Sequence, residues 1–388
     1  MSDQNKLSRR DFIAQTAALG AGAILTIGAP GMGYAARTMP TVKLGKTGQI
    51  VPKLSFGTAF NLTPQLVRIA LNEGLNYLDT AESYNNGNSE RSIGDMLSKL
   101  TNRKDCFIVS KTGRHDPAGL PEKLQGSLER LQTDYVDAYF LHNLGNPDLL
   151  NDDLKSAAEK LKKEGKIRFF GFSSHHRNMI QTLEKAAEVG FVDMIMFKYN
   201  FWDYNNDALN KAIDKCAKAN IGLIAMKTQG GAATVPEKVD QFKAKGFNPF
   251  QAALKAVWAD DRIHAICSEM TNIKQVRENT TAAREKDMGS IERQRLEEYA
   301  SANSHLYCRG CGHICENNVN GPINIADTLR YRLYHNGYGK PEDARRLFAE
   351  LPAHTRNIAH VDFSAAEKAC PHNLPIGKLM REAAHILT

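Results

Sequence analysis

Beyond residue 36 this 388-residue chain has no apolar run approaching the ~20 residues that cross a bilayer as a helix. It also has no block of lysines and arginines. The formal charge of +7 is dispersed, which argues against a nucleic-acid-binding arm and against nucleic acid as a partner. The G-x-G-x-x-G fingerprint of an open, doubly wound dinucleotide-binding sheet is missing, because Gly171-Phe172-Ser173-Ser174 follows a strand-like run without the required spacing. Cysteine is sparse over the first 300 residues: Cys106, Cys216 and Cys267 fall singly in apolar segments and read as buried structural thiols. With hydrophobic residues at 42% and charged residues at 24%, wholesale disorder is excluded, and one large domain with smaller additions is expected.

The first 36 residues differ from the rest. Lys6, Arg9 and Arg10 form a basic start, residues 13–30 are apolar and rich in Ala and Gly, and Gly33-Tyr34-Ala35-Ala36 offers small residues for cleavage. Ser8-Arg9-Arg10-Asp11-Phe12-Ile13 resembles the twin-arginine export signal, with two adjacent arginines before an apolar core. That resemblance implies a periplasmic or otherwise exported protein that crosses the membrane folded, with any cofactor already inserted, and keeps no membrane span once processed.

From Val42 to Arg284 short apolar runs alternate with longer amphipathic segments, the rhythm of repeated strand–helix units. A hairpin opens the series, with Val42-Lys43-Leu44 and Ile50-Val51-Pro52 flanking Gly45-Lys46-Thr47-Gly48. Eight strands are then expected, at residues 54–56, 76–78, 106–110, 136–141, 167–171, 192–197, 222–225 and 263–267. Eight units in about 245 residues predict a (β/α)8 TIM barrel over residues 37–290. A cysteine-rich domain over residues 291–388 follows.

Barrels of this kind collect their chemistry where strands end at the C-terminal face. Four polar residues stand there in succession: Asp79 after Tyr77-Leu78, Tyr84 five residues on, Lys111 after Val109-Ser110, and His142 after Phe140-Leu141. Singly, each reads as a packed or solvated side chain. Their order and spacing resemble the aldo-keto reductase superfamily, and the likeness extends to the hairpin, Asp79-Thr80-Ala81-x-x-Tyr84, Gly171-Phe172-Ser173 and Glu278-Asn279. The resemblance implies hydride transfer between a nicotinamide and a carbonyl carbon, with Tyr84 passing a proton to the oxygen. Lys111 is expected to lower the phenol's pKa, Asp79 to hold Lys111, and His142 to orient the substrate.

The same resemblance assigns cofactor contacts to Ser173, Ser174, Met196, Lys227, Lys274 and Asn279. Several depart from the family pattern: Ser174 stands where Asn is usual, Met196 where Gln is usual, and Met226 where an aromatic stacks on the nicotinamide. Glu269 and Gln275 replace cations that contact the adenosine 2′-phosphate, which favours NAD over NADP, although Lys274 and Arg277 lie close in sequence. Because free nicotinamides are scarce outside the cytoplasm, the cofactor is expected to leave bound and stay bound. The expected partner is a small carbonyl or alcohol, a sugar among them, and the second cofactor below invites a redox partner protein.

Past residue 290 the chain carries Cys308-Arg309-Gly310-Cys311-Gly312-His313-Ile314-Cys315 and, far on, Cys370-Pro371. This set resembles the ligands of a bacterial ferredoxin, with the third cysteine one residue late, and implies one 4Fe-4S cluster on Cys308, Cys311, Cys315 and Cys370 in a small, mainly helical ferredoxin-like domain. A zinc site on the same thiolates and two disulfides are the alternatives. An exported electron-transfer or ligand-sensing module, on a barrel that has lost turnover, is the competing function.

Overall fold

Runs of β-branched and aromatic residues closed by polar ones become strands, and the periodic segments between them become helices. The computed structural model describes residues 38–388 apart from 61, 101, 231, 233–247, 286–287, 304 and 306. The export-signal segment lies outside the described residues. Thr41–Lys43 (β1) and Ile50–Pro52 (β2) pair antiparallel, as the hairpin reading expects. Eight more strands, Leu54–Gly57 (β3), Tyr77–Asp79 (β4), Phe107–Thr112 (β5), Val136–Leu141 (β6), Ile167–Ser174 (β7), Met194–Lys198 (β8), Gly222–Met226 (β9) and Ala265–Glu269 (β10), pair in parallel in chain order. β10 closes on β3, so the sheet is a barrel and has no free edge.

The strand expected at 136–141 is found there, and the other strands have ends shifted by up to three residues. Lys111 lies inside β5 and Ser173 and Ser174 inside β7, because ladder pairing continues past the last apolar side chain, Lys111 opposite Phe140 and Ser173 opposite Met196. Pairing uses backbone groups and is indifferent to side-chain polarity.

A helix follows each barrel strand: Pro64–Asn72 (α1), Asn88–Leu97 (α2), Leu120–Leu131 (α3), Asp152–Lys163 (α4), Met179–Val189 (α5), Asp207–Lys218 (α6), Pro249–Trp258 (α7) and Ile273–Arg284 (α8). Asparagine caps recur. Asn151, Asn206, Asn248 and Asn272 each accept the backbone N–H three residues on, so four helices start where the sequence places an Asn. Apolar residues inside the barrel, among them Phe107, Phe140, Met194, Met196 and Ile224, form one core, and a larger core fills the gap between strands and helices. Leu44 and Val51 of the hairpin join the inner core and so seal the end opposite the site. Gly45, at φ +49°, lies so close to Asn220 and Gly222 that a Cβ would sit 2.6 Å from their backbone; only glycine suits that turn.

The remaining chain is helical among the described residues: Ser290–Ala302 (α9), Gly312–Cys315 (α10), Ile325–Asn336 (α11), Pro341–Glu350 (α12), Ala353–Arg356 (α13), Ser364–Ala369 (α14) and Ile376–Leu387 (α15). α11 packs on α12 and α15. This part and the barrel form one compact unit.

Candidate active site

The segment after β4 is bent by its backbone. Asn85 and Asn86 take left-handed conformations (φ 47° and 53°) and Gly87 follows at φ 79°, a run that Asn and Gly tolerate and branched residues do not. A hydrogen bond from the Glu82 N–H to the Lys111 carbonyl (3.0 Å) ties this segment to β5, and one from the Tyr84 N–H to the Ala81 carbonyl (3.1 Å) closes its turn. The four residues expected to act together are thereby brought together. The Lys111 ammonium donates to Asp79 Oδ2 at 2.6 Å and to the Thr80 carbonyl at 2.7 Å, with both charged side chains buried. It lies 5.0 Å from the centre of the half-buried Tyr84 ring. The edge of that ring meets His142, with centroids 5.4 Å apart and planes at 83°.

Electrostatics correct one expectation. The Tyr84 phenol is raised well above its ordinary value, first by burial, then by the negative fields of Asp79, Cys267, Glu269 and Tyr334. Lys111 was expected to lower it, but its charge is turned toward Asp79 and Thr80. Burial also raises the Asp79 carboxyl, and Lys111 opposes that rise. Burial, followed by Lys111, His115 and Lys227, depresses the His142 imidazole from 6.5 to about 3, so it is neutral near pH 7. The rate of carbonyl reduction is therefore expected to show no imidazole ionisation between about pH 5 and pH 9. A step near pH 6.5 in the rate profile that disappears in His142→Gln would contradict this.

The residues expected to grip the cofactor are dispersed. Ser173 Oγ accepts the Asn143 N–H at 3.1 Å, and Ser174 Oγ donates to the Leu144 carbonyl at 2.7 Å, so Ser174 is occupied in fixing the loop after β6. Met196 is buried in the inner core and brings no polar atom. Asn279 donates to Ser268 (3.0 Å) and accepts from Gln229 (3.2 Å). Lys274 is 83% exposed and faces Glu278 at 3.9 Å. Lys227, left-handed at φ 57°, donates to the Tyr334 hydroxyl at 2.7 Å. Ser173 Oγ only accepts here and keeps a hydroxyl hydrogen to give.

Sequence reading missed what the C-terminal helices bring. Tyr334 on α11 reaches the ends of β9 and β10, and Lys340 pairs with Glu269 at 2.6 Å while lying 3.4 Å from the centre of the Phe60 ring. Glu269 thus faces a cation, which removes most of the repulsion that argued against a 2′-phosphate. The one available signal was the spacing of Tyr331 and Tyr334, which puts two aromatics on one side of α11, with Tyr338 just past its end stacking on Tyr334. Tyr199 donates to Asp260 and Trp202 stacks on Tyr307, so both are packing residues.

The four late cysteines come together. Cys308, Cys311, Cys315 and Cys370 are free thiols lining one cavity of about 320 Å³, whose remaining wall includes Ile314, Ile325, Leu374 and Ile376. The Gly310 N–H donates to the Cys308 sulfur. Lys198, at the end of β8, donates to the Arg309 carbonyl, and Asn200 donates to Tyr307 at 3.3 Å, so the barrel itself anchors the cysteine loop. Among the described residues no three His, Cys, Asp or Glu side chains are grouped so as to hold a single metal ion.

Residues 53–284 match the aldo/keto reductase family along its pattern. The chain belongs to that family. It is an oxidoreductase of the aldo-keto reductase type. It is 33% identical over 162 residues to an uncharacterized oxidoreductase, YqkF, of Bacillus subtilis, covering 39% of this chain and about half (51%) of that protein. It is 27% identical over 292 residues to L-galactose dehydrogenase of Arabidopsis thaliana, covering 66% of this chain and 91% of the relative. An aldo-keto reductase of Klebsiella pneumoniae in complex with NADPH superposes with TM-score 0.57 at 25% identity, over 68% of this chain and 96% of that one. The cysteine-bearing helices lie outside the family match.

Proposed function

We propose that this chain interconverts a carbonyl compound and its alcohol with a nicotinamide dinucleotide, NAD or NADP, and that Tyr84 is its proton donor and acceptor. The observation that carries this is the convergence of Tyr84, the buried Asp79–Lys111 pair and the neutral His142 on one spot at the barrel mouth. The nicotinamide, when bound, supplies or takes up the hydride. His142, uncharged, donates a hydrogen bond to the substrate oxygen and orients it. In reduction the Tyr84 O–H breaks as its proton passes to that oxygen, and the phenolate left behind, with the Lys111 ammonium 5.0 Å from its ring centre, takes a proton back from solvent. Tyr84 is protonated at neutral pH, as reduction requires of its proton donor. The L-galactose dehydrogenase relative, and the NADPH complex of the Klebsiella relative, support a polar substrate such as a sugar and a nicotinamide cofactor. Incubating the purified chain with NADH or NADPH and a panel of carbonyl compounds, and following nicotinamide fluorescence, tests this; no turnover with any of them would favour a ligand-sensing or electron-transfer barrel.

We favour an iron-sulfur cluster over a zinc ion for the cysteine cavity. What supports the cluster is that all four thiols share one cavity whose walls are mainly apolar, with a ligand order resembling a ferredoxin's; a zinc ion on the same thiolates is the alternative. A 4Fe-4S cluster there would add single-electron chemistry or a covalent staple for the C-terminal helices. Together with the twin-arginine-like start, this supports an exported enzyme that folds around its cofactors before crossing the membrane. Purified protein is expected to contain about four irons and four sulfides per chain and to absorb near ~400 nm, with bleaching by dithionite. Cys308→Ser should lose both signals. One zinc per chain without iron would rule the cluster out.

A further inference from the structure

A second cavity, enclosing roughly 730 Å³ of empty space partly open to solvent, lies where the barrel mouth meets the C-terminal helices. Its charge is one-sided. Lys198, Lys227, Arg309, Arg330 and Arg332 line it, and no Asp or Glu does. Some of these cations are already answered from behind: Arg332 by Glu382 at 2.6 Å, Arg330 by Asp327 at 2.9 Å, and Lys198 by Asp203 at 3.7 Å. Others are not. Lys227 donates to the hydroxyl of Tyr334 instead of a carboxylate, and the buried His175 Nδ1 and Arg309 Nε have no hydrogen-bond partner. Buried nitrogens left this way are costly in a native fold unless a ligand or solvent satisfies them.

The cavity adjoins the reacting centre. His175 directly follows β7, Lys198 closes β8 and Lys227 directly follows β9, so the cavity opens on the barrel face at which Asp79, Lys111 and His142 also stand. Arg309, Arg330, Arg332 and Tyr334 all lie beyond residue 284, where the family match ends, so this part of the mouth is the chain's own addition.

We infer that this cavity holds a carboxylate of the substrate, with Lys227 and Arg330 as counter-charges and His175 and Tyr334 as hydrogen-bond partners, so that the enzyme acts on carbonyl compounds bearing an acid group, such as oxo acids and uronates. The inference rests on the carbonyl-reductase reading and adds to it a substrate class. The phosphates of a dinucleotide share the chemistry of such a site, and the experiment separates the two sources.

The mature chain, with its cluster, is assayed on 4-oxobutanoate and on its neutral amide, and succinate binding is measured in parallel by calorimetry. A preference for the acid of about 30-fold or more in kcat/KM is expected, lodged in KM, as charge-assisted hydrogen bonds to a carboxylate provide. Arg330→Gln should cut that preference and succinate affinity about tenfold or more, and Arg330→Lys, which keeps the charge, should restore part of both. Lys227→Gln should act in the same direction. Succinate binding that depends on Arg330, in a protein that reduces neither aldehyde, would support the anion site while sinking the reductase reading. Equal kcat/KM for acid and amide, or succinate binding unchanged in Arg330→Gln, would overturn the inference. So would an Arg330→Gln variant that loses affinity for NADH or NADPH but keeps the preference for the acid, since the site would then belong to the dinucleotide.

Discussion

Tyr84→Phe is expected to lower kcat for carbonyl reduction about 10³-fold, in the middle of the range that a positioned proton donor contributes, while nicotinamide affinity changes by less than about threefold. The substitution deletes one oxygen. The ring, and with it the edge contact to His142 at 5.4 Å and the Lys111 ammonium 5.0 Å from its centre, has no reason to move. Steady-state kinetics with a fluorescence titration of the cofactor separate the two effects. The raised phenol also sets a pH signature: reduction needs the O–H, which persists far into alkali, whereas alcohol oxidation needs the phenolate and should speed up as pH rises. Near-wild-type reduction by the Phe variant would remove Tyr84 from the chemistry.

Lys111→Met is expected to harm both fold and rate. The ammonium neutralises a carboxylate buried beside it and also satisfies the Thr80 carbonyl. Removing it leaves Asp79 charged, desolvated and alone, a loss of about 3–5 kcal/mol in stability. Loss of the positive charge 5.0 Å from the centre of the Tyr84 ring should cost a further ~10²-fold or more in kcat. Urea unfolding checks the first number. The double variant Asp79→Asn/Lys111→Met is expected to recover much of the lost stability and none of the lost rate, because it removes the unpaired charge without restoring the catalytic one. A single Lys111→Met variant as stable as the wild type would show that the pair is not coupled as its 2.6 Å separation implies.

The barrel was legible in the sequence because its cause is local. Each strand is a short apolar run, each helix carries its stripe, and the eight repeats leave few topologies to choose between. The four candidate residues were legible for a related reason: Asp79, Lys111 and His142 stand at or beside the ends of consecutive strands, and closing the barrel brings consecutive strand ends together. Strand boundaries drifted, as at Lys111 and Ser174, because the ladder is held by backbone groups that composition does not report. The pKa of Tyr84 was not legible. Its direction is set first by burial, then by acid groups around it that include Glu269 and Tyr334, the latter on a helix more than 200 positions away in the chain. The contribution of the C-terminal helices to the mouth was hidden for the same reason, since nothing local to Tyr334, Lys340 or Arg330 says that α11 lies over β9 and β10. The four cysteines were marked by type and spacing; their gathering around one cavity is a property of packing among α10, α14 and the loops beside them.

The central claim is that this constellation directs a hydride to a carbonyl carbon while Tyr84 protonates its oxygen. It is tested most directly by supplying the chain with NADH or NADPH deuterated at the transferring carbon of the nicotinamide, together with a carbonyl substrate, and locating the label in the product by mass spectrometry and NMR. The account predicts one deuterium on the carbon that was the carbonyl, and none on its oxygen. A reduced product free of deuterium with either face of the nicotinamide labelled would contradict it.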